Sequence, residues 1–158
     1  MARVNVGIHP RYLSDQHLIA ESVEITMITG SLRKNNYIIK GQVPEKYCLG
    51  KGHMNFFKPR LIYLRNRLEE VNKEIINRGF KFGTNIDLTE FSYKCRHYFK
   101  LQNWKPDYSD SILVRERIIE RLKTPRKAKV GFHKYYGKPI ENLDEFCNRL
   151  LQSELFYV

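Results

Sequence analysis

Apolar residues recur at steps of three and four along several stretches of the chain, the spacing of an amphipathic helix. Behind Ser14 and Asp15, which offer an N-cap, Leu18, Ile19, Val23, Ile25 and Ile28 keep helical spacing, and Gly30 is placed to stop the helix. Residues 31–57 carry Gly41, Pro44, Gly50 and Gly52 as punctuation and read as a long connection. Pro59 fits the first turn of a second helix, along which Leu61, Leu64, Leu68, Val71 and Ile75 form one stripe and after which Gly79 sits at a C′ position. Its Glu69, Glu70, Lys73 and Glu74 read as a solvated face.

Residues 80–108 are irregular apart from a short strand-like or helical stretch around Phe91–Phe99. Ser109 or Asp110 caps a third helix reaching about Lys123, with Ile112, Ile119 and Leu122 inward, and Pro125 closes it. Asn142-Leu143-Asp144-Glu145 resembles a capping box ahead of a short helix with Leu143, Phe146, Leu150 and Leu151 on one stripe. The pattern predicts an all-α fold: one compact domain of three main helices with long connecting loops and a short extra C-terminal helix.

A chain of 158 residues fits one domain, and at that length no disulfide or metal is needed for a core. Charge adds direction. Lys and Arg total 28 against 17 Asp and Glu, a formal charge of +11. Polyphosphate suits such a surplus, because each neutralised phosphate releases condensed counterions. No run of about 18 apolar residues marks a membrane span, and Met1-Ala2-Arg3-Val4-Asn5 lacks the apolar core of a signal peptide. Cys48, Cys95 and Cys147 form no CxxC pair, which suggests reduced thiols and a cytoplasmic location. Cys48…His53 and Cys95-Arg96-His97 lack the converging ligand pairs of a zinc site.

Three constellations carry candidate chemistry. The segment His133-Lys134-Tyr135-Tyr136-Gly137-Lys138, preceded by Arg126-Lys127-Ala128-Lys129, alternates cations that hold phosphates with rings that stack on bases. Arg117 and Arg121, with Arg115 nearby, place cations on one face of the third helix. Glu21 and Glu24 are neighbours on the first helix, a spacing that serves acid–base work and ordinary surface alike. In addition Ala2 is small enough for Met1 to be removed. That would expose an α-amine titrating near 7.7–8.0, substantially neutral and nucleophilic at physiological pH.

Ala2-Arg3-Val4-Asn5, Asp15-Gln16-His17-Leu18, Ala20-Glu21 with Glu24, Gly30-Ser31-Leu32-Arg33-Lys34, Leu49-Gly50-Lys51-Gly52-His53 with Phe56-Phe57, Arg78-Gly79-Phe80 and Lys134-Tyr135-Tyr136-Gly137-Lys138 occur in that order. Together they resemble the phage pyrimidine-dimer DNA glycosylases with AP lyase activity, the T4 endonuclease V family. The resemblance implies a cofactor-free, metal-free enzyme of DNA repair. The α-amine of Ala2 attacks C1′ of the damaged nucleotide, the base leaves, an imine forms, Glu24 assists, and β-elimination cuts the strand. It further implies DNA contacts from Arg3, Gln16, His17, Arg33 and Lys34, from Arg117 and Arg121, and from Lys134, Tyr135, Tyr136 and Lys138. The partner is double-stranded DNA with a damaged or modified base, bent and with a nucleotide extruded; the protein is expected to be a monomer away from membranes. Residues 1–138 form the glycosylase domain and 139–158 a helical extension beyond the family's usual end.

Departures from the family fall beside Glu24. An arginine common before that glutamate is Val23, a basic residue three after it is Met27, and an aromatic position is Ser22. The loss of two charges opens two alternatives: a glycosylase with changed base specificity, and a catalytically silent DNA-binding protein on the same scaffold.

Overall fold

In the computed structural model, residues 3–81, 83–124 and 132–158 are described. Ala2, Pro125 and the basic stretch Arg126–Lys129 lie outside them. Six α-helices, a short 3-10 turn (Pro10–Tyr12) and one two-stranded ribbon make up the regular structure of these residues, so the fold is all-α.

Helix α1 spans Asp15–Lys34, and Ser14 caps it by accepting from the His17 N–H. The helix runs straight through Gly30. A lone glycine inside a helix costs only about 1 kcal/mol relative to alanine and does not end it. The stop comes later. Asn36 and Tyr37 take positive φ, and the Tyr37 N–H returns to Leu32 O at 2.7 Å. The inward face of α1 is Leu18, Glu21, Glu24, Ile25, Ile28 and Leu32. Ile19 and Val23, expected among the helical stripe, are 42% and 51% exposed because the two glutamates occupy the inward positions.

The expected long connection after α1 contains a short helix, α2 (His53–Phe57), entered through Gly52 at φ 105. Helix α3 (Leu61–Asn77) follows, with Arg60 at its N-cap and Pro59 one residue before it. Its end is a Schellman motif, with Gly79 N–H to Ile76 O and Phe80 N–H to Ile75 O, and Gly79 supplies the φ of +81. Glu74, expected on the solvated face, is buried against Arg78 at 2.9 Å. Helix α4 (Leu88–Cys95) is capped by Asp87. Helix α5 (Tyr108–Leu122) begins two residues earlier than its sequence suggests, because Asp107 and Asp110 form a reciprocal capping box. Its buried residues are Ser111, Val114, Arg115, Ile118 and Leu122. Arg115 therefore leaves the basic surface, and Ile112 and Ile119 are only half-buried.

An antiparallel pair, β1 (Lys134–Tyr135) and β2 (Lys138–Pro139), turns through Tyr136 at φ 53 and Gly137 at φ 77. Positive φ at both central residues is the turn whose twist suits a tight hairpin. Helix α6 (Leu143–Gln152) packs against α5, with Asn142 capping the Glu145 N–H. Cys147 and Leu150 face inward while Leu151 is 40% exposed. The main helix contact is α1 on α3. Beside it Tyr47, Phe56, Phe57, Tyr63 and Trp104 form an edge-to-face aromatic cluster. Among the described residues no helix is long and apolar enough to cross a membrane.

Candidate active site

The site is built on an unusual element, a buried irregular segment at the start of the described chain that turns at Val6 and Gly7. Residues 4–8 are all buried. Buried backbone groups must find partners, and here side chains from several elements supply them. The Val4 N–H donates to His53 Nε2 at 3.1 Å, and Val4 O accepts from the Tyr47 hydroxyl at 2.9 Å. The Asn5 N–H and side-chain amide both donate to Glu21, at 3.0 and 2.8 Å. Ile8 O accepts from Arg67 Nη1.

Spacing alone left Glu21 and Glu24 equivalent; their surroundings separate them. Glu21 is fully buried and forms a two-point pair with Arg67, Nε to Oε1 at 2.7 Å and Nη2 to Oε2 at 3.1 Å. With Asn5 also donating, both of its oxygens are satisfied, so Glu21 is an anchor. Glu24 is 3% exposed, and its Oε1 accepts no hydrogen bond among the described residues. Arg3 Nη1 lies 3.6 Å from that oxygen. Burial raises the Glu24 pKa above the ordinary carboxylate value, with the Arg3 and Arg117 charges pulling the other way. A carboxyl with a raised pKa and an open lone pair is equipped to take or return a proton.

His53 Nε2 sits 4.0 Å from the same oxygen, yet the two do not form an ion pair. His53 accepts the Val4 N–H at Nε2, so its proton is on Nδ1, which donates to Cys48 O at 2.7 Å. Desolvation lowers its pKa to about 4. It is a neutral clip between the N-terminal segment and the loop before α2.

Arg3 joins Glu24 to the exterior. Its Nε donates to Leu49 O at 2.6 Å, and it lines a small cleft with Asn5, His17, Ala20, Arg117 and Arg121. Arg117 is depressed in pKa by burial and by the neighbouring Arg121 and Arg3 charges. Cations that repel one another around a cleft are relieved by an incoming anion. The geometry thus brings Arg3, His17, Glu24, Arg117 and Arg121 together.

The hairpin residues form a second group. Gln16 donates to Phe132 O and accepts the Lys134 N–H at 3.0 Å. Asp15 accepts both turn N–H groups, from Tyr136 at 3.1 Å and Gly137 at 2.8 Å, and pairs with Arg78 at 2.8 Å. Tyr135 donates its hydroxyl to Arg11 O and Tyr136 donates to Glu74, with the Arg78 guanidinium against both rings. The tyrosines therefore hold the hairpin in place, while Lys134 and Lys138 are exposed. His17 stacks on His133 at 5.9 Å, linking hairpin and cleft.

Arg33 and Lys34 stand apart, about 24 Å along α1 from His17 at 1.5 Å per residue. Lys34 is exposed, and Arg33 forms a bidentate pair with Glu90 on α4, both contacts at 2.8 Å. The arginine's hydrogen bonds hold the Glu90 carboxyl down at about 2. Ala2 lies outside the described residues, next to Arg3.

Sequence reading missed Asn5, Tyr47, His53 as a clip, Arg67 and Arg115. The one legible signal was Arg67, a lone arginine on the apolar stripe of α3 between Leu64 and Leu68. Among the described residues no group of three or more His, Cys, Asp or Glu side chains could hold a metal. The family model described as pyrimidine dimer DNA glycosylase matches residues 1–88. The match takes in more than half of the 158 residues and every element from the buried N-terminal segment through α3, Glu24 and His53 included. The chain belongs to the pyrimidine dimer DNA glycosylase family.

Proposed function

We propose that this glycosylase is bifunctional, removing a damaged or modified pyrimidine from duplex DNA and then cutting the strand by AP lyase chemistry. The observation that carries the reading is the buried Glu24 carboxyl, with an oxygen that accepts no hydrogen bond among the described residues, 3.6 Å from the arginine that follows Ala2. The neutral α-amine of Ala2 forms a bond to C1′ as the glycosidic bond to the base breaks, and the departing base takes a proton. Loss of the amine proton and opening of the sugar ring give the imine. The imine acidifies C2′, Glu24 takes that proton, the C3′–O bond breaks to release the phosphate, and water frees the enzyme from the cleaved strand.

Arg3, Arg117 and Arg121 meet the phosphates flanking the extruded nucleotide, and Lys34, Lys134 and Lys138 extend the contact along the backbone. The protein acts as a cytoplasmic monomer, with residues 139–158 as an extension of the glycosylase domain. The exposed side chains of Ile19, Val23 and Met27, spaced four apart on α1, favour a second reading within this one, an altered lesion preference. Val23 and Met27 are each 51% exposed, so this row offers apolar contact where two cations would have offered charge.

Borohydride trapping tests both. Processed protein with abasic-site duplex should yield a covalent adduct at the N-terminus, and no adduct there overturns the lyase reading in favour of a silent binder. An adduct on abasic but not on thymine-dimer duplex selects the altered preference.

A further inference from the structure

The segment that follows the family match contributes to the N-terminal site. Arg115, on α5, is 1% exposed, and among the described residues no carboxylate forms an ion pair with it. Its guanidinium is spent on carbonyls. Nη1 donates to Leu150 O at 2.7 Å, Leu151 O at 3.2 Å and Ser153 O at 2.7 Å. Nη2 donates to Glu154 O at 3.3 Å and Gly7 O at 3.2 Å, while Nε donates to Ser111 Oγ at 2.8 Å. The cation thus closes the carbonyl end of α6, where the helix dipole favours positive charge, and reaches the buried N-terminal segment with the same group.

Gly7 is where the three strands of chain meet. Its carbonyl also accepts the Phe156 N–H at 3.0 Å. Its φ is +72, and a Cβ there would lie 2.6 Å from Leu155 Cδ1 and 2.8 Å from Ser111 Cβ. Four residues upstream is Arg3, against Glu24. Tyr47, Glu21, His53 and Arg67 grip residues 4–8 from one side; Arg115 and residues 150–156 complete the grip at Gly7.

We infer that residues 150–156, fastened by Arg115, form a clasp that seats the N-terminal segment against Glu24, with Arg115 as a positioning residue for the amine. This rests on the reading of the Ala2 amine as nucleophile. If wild-type protein forms no borohydride adduct with abasic DNA, that reading fails; if it does, the clasp is tested separately.

Arg115→Lys keeps the charge and loses the fork, and Phe156→Pro removes one N–H at Gly7. In single-turnover trapping on abasic duplex, both should slow adduct formation at least tenfold, with DNA affinity changed less than twofold. Lost folding alone lowers the amplitude of the adduct and leaves the rate of the folded fraction unchanged. A wild-type rate in either folded variant would overturn the clasp. Amide hydrogen exchange on the wild-type protein needs no variant. The Phe156 and Val4 amides should open together at one free energy, and independent opening of Phe156 would overturn the clasp equally.

Discussion

At the residue scale, Glu24 and His53 are two buried titratable groups held off their ordinary values in complementary directions. Burial raises the Glu24 pKa, so its charged form is disfavoured where it stands. Glu24→Gln should therefore abolish strand cleavage, leave duplex binding within about twofold, and stabilise the fold by a small amount, of the order of 1 kcal/mol or less. Gel-based cleavage with thermal denaturation measures both, and unchanged cleavage would contradict the assigned role. His53 behaves in the opposite sense. Its pKa falls from 6.5 to about 4 on folding, so between those values the unfolded chain binds a proton that the folded chain does not. The clip's contribution is complete above pH 6.5 and is lost as the pH falls toward 4, about 3 kcal/mol in all. Urea titrations at stepped pH should show that slope, and His53→Asn should flatten it.

At the scale of elements, α1 and α3 are joined through charge as well as apolar packing. The Glu21–Arg67 pair is fully buried, and removing one partner strands the other without water. Glu21→Gln should cost about 3–5 kcal/mol in chemical denaturation, and a loss under 1 kcal/mol would show the pair to be dispensable. The opposite face of α1 carries the apolar row. Val23→Arg together with Met27→Lys should tighten binding to dimer-containing duplex by about tenfold, from two added phosphate or base contacts of about 1–3 kcal/mol before losses; fluorescence anisotropy reads this. Helix α3 was legible in sequence because its stripe, Leu61 to Ile75, and its Gly79 terminator obey one period. Helix α1 was legible at its start and misread at its end, since its terminator is a pair of non-glycine residues at positive φ. The face it buries was legible at Leu18, Ile25 and Ile28 and misread at Ile19 and Val23, because polar residues fill inward positions that periodicity reserves for apolar ones. For the same reason Glu21 and Glu24 were indistinguishable on paper. What separates them is Arg67 and Asn5, brought in from 46 and 16 residues away.

For the whole molecule, the formal charge is +11, and Arg3, Arg117 and Arg121 carry part of it to the cleft, Lys134 and Lys138 to the hairpin beside it. Binding should weaken linearly on a log–log plot against salt, with a slope of about −0.9 for each phosphate met. Lys138→Ala should make that slope shallower by about one, uniformly across sequences. A salt-independent affinity would detach the surplus charge from DNA binding. Disposition of the cations was only partly legible in composition, since Arg115 and Arg67 belong to the interior and Arg33 to Glu90.

The junction at Gly7 also sets an order in time. Position 7 meets position 111 and positions 155 and 156, the longest sequence separations around the site. Contacts so distant along a chain are closed late, after their loop entropy has been overcome. During synthesis, helices α1 and α3 can pair while the ribosome is still adding α5, but Gly7 lacks its final partners until residue 156 has emerged. The N-terminal segment is thereby completed last, when the polypeptide is long enough to hold residues 4–8 from both sides.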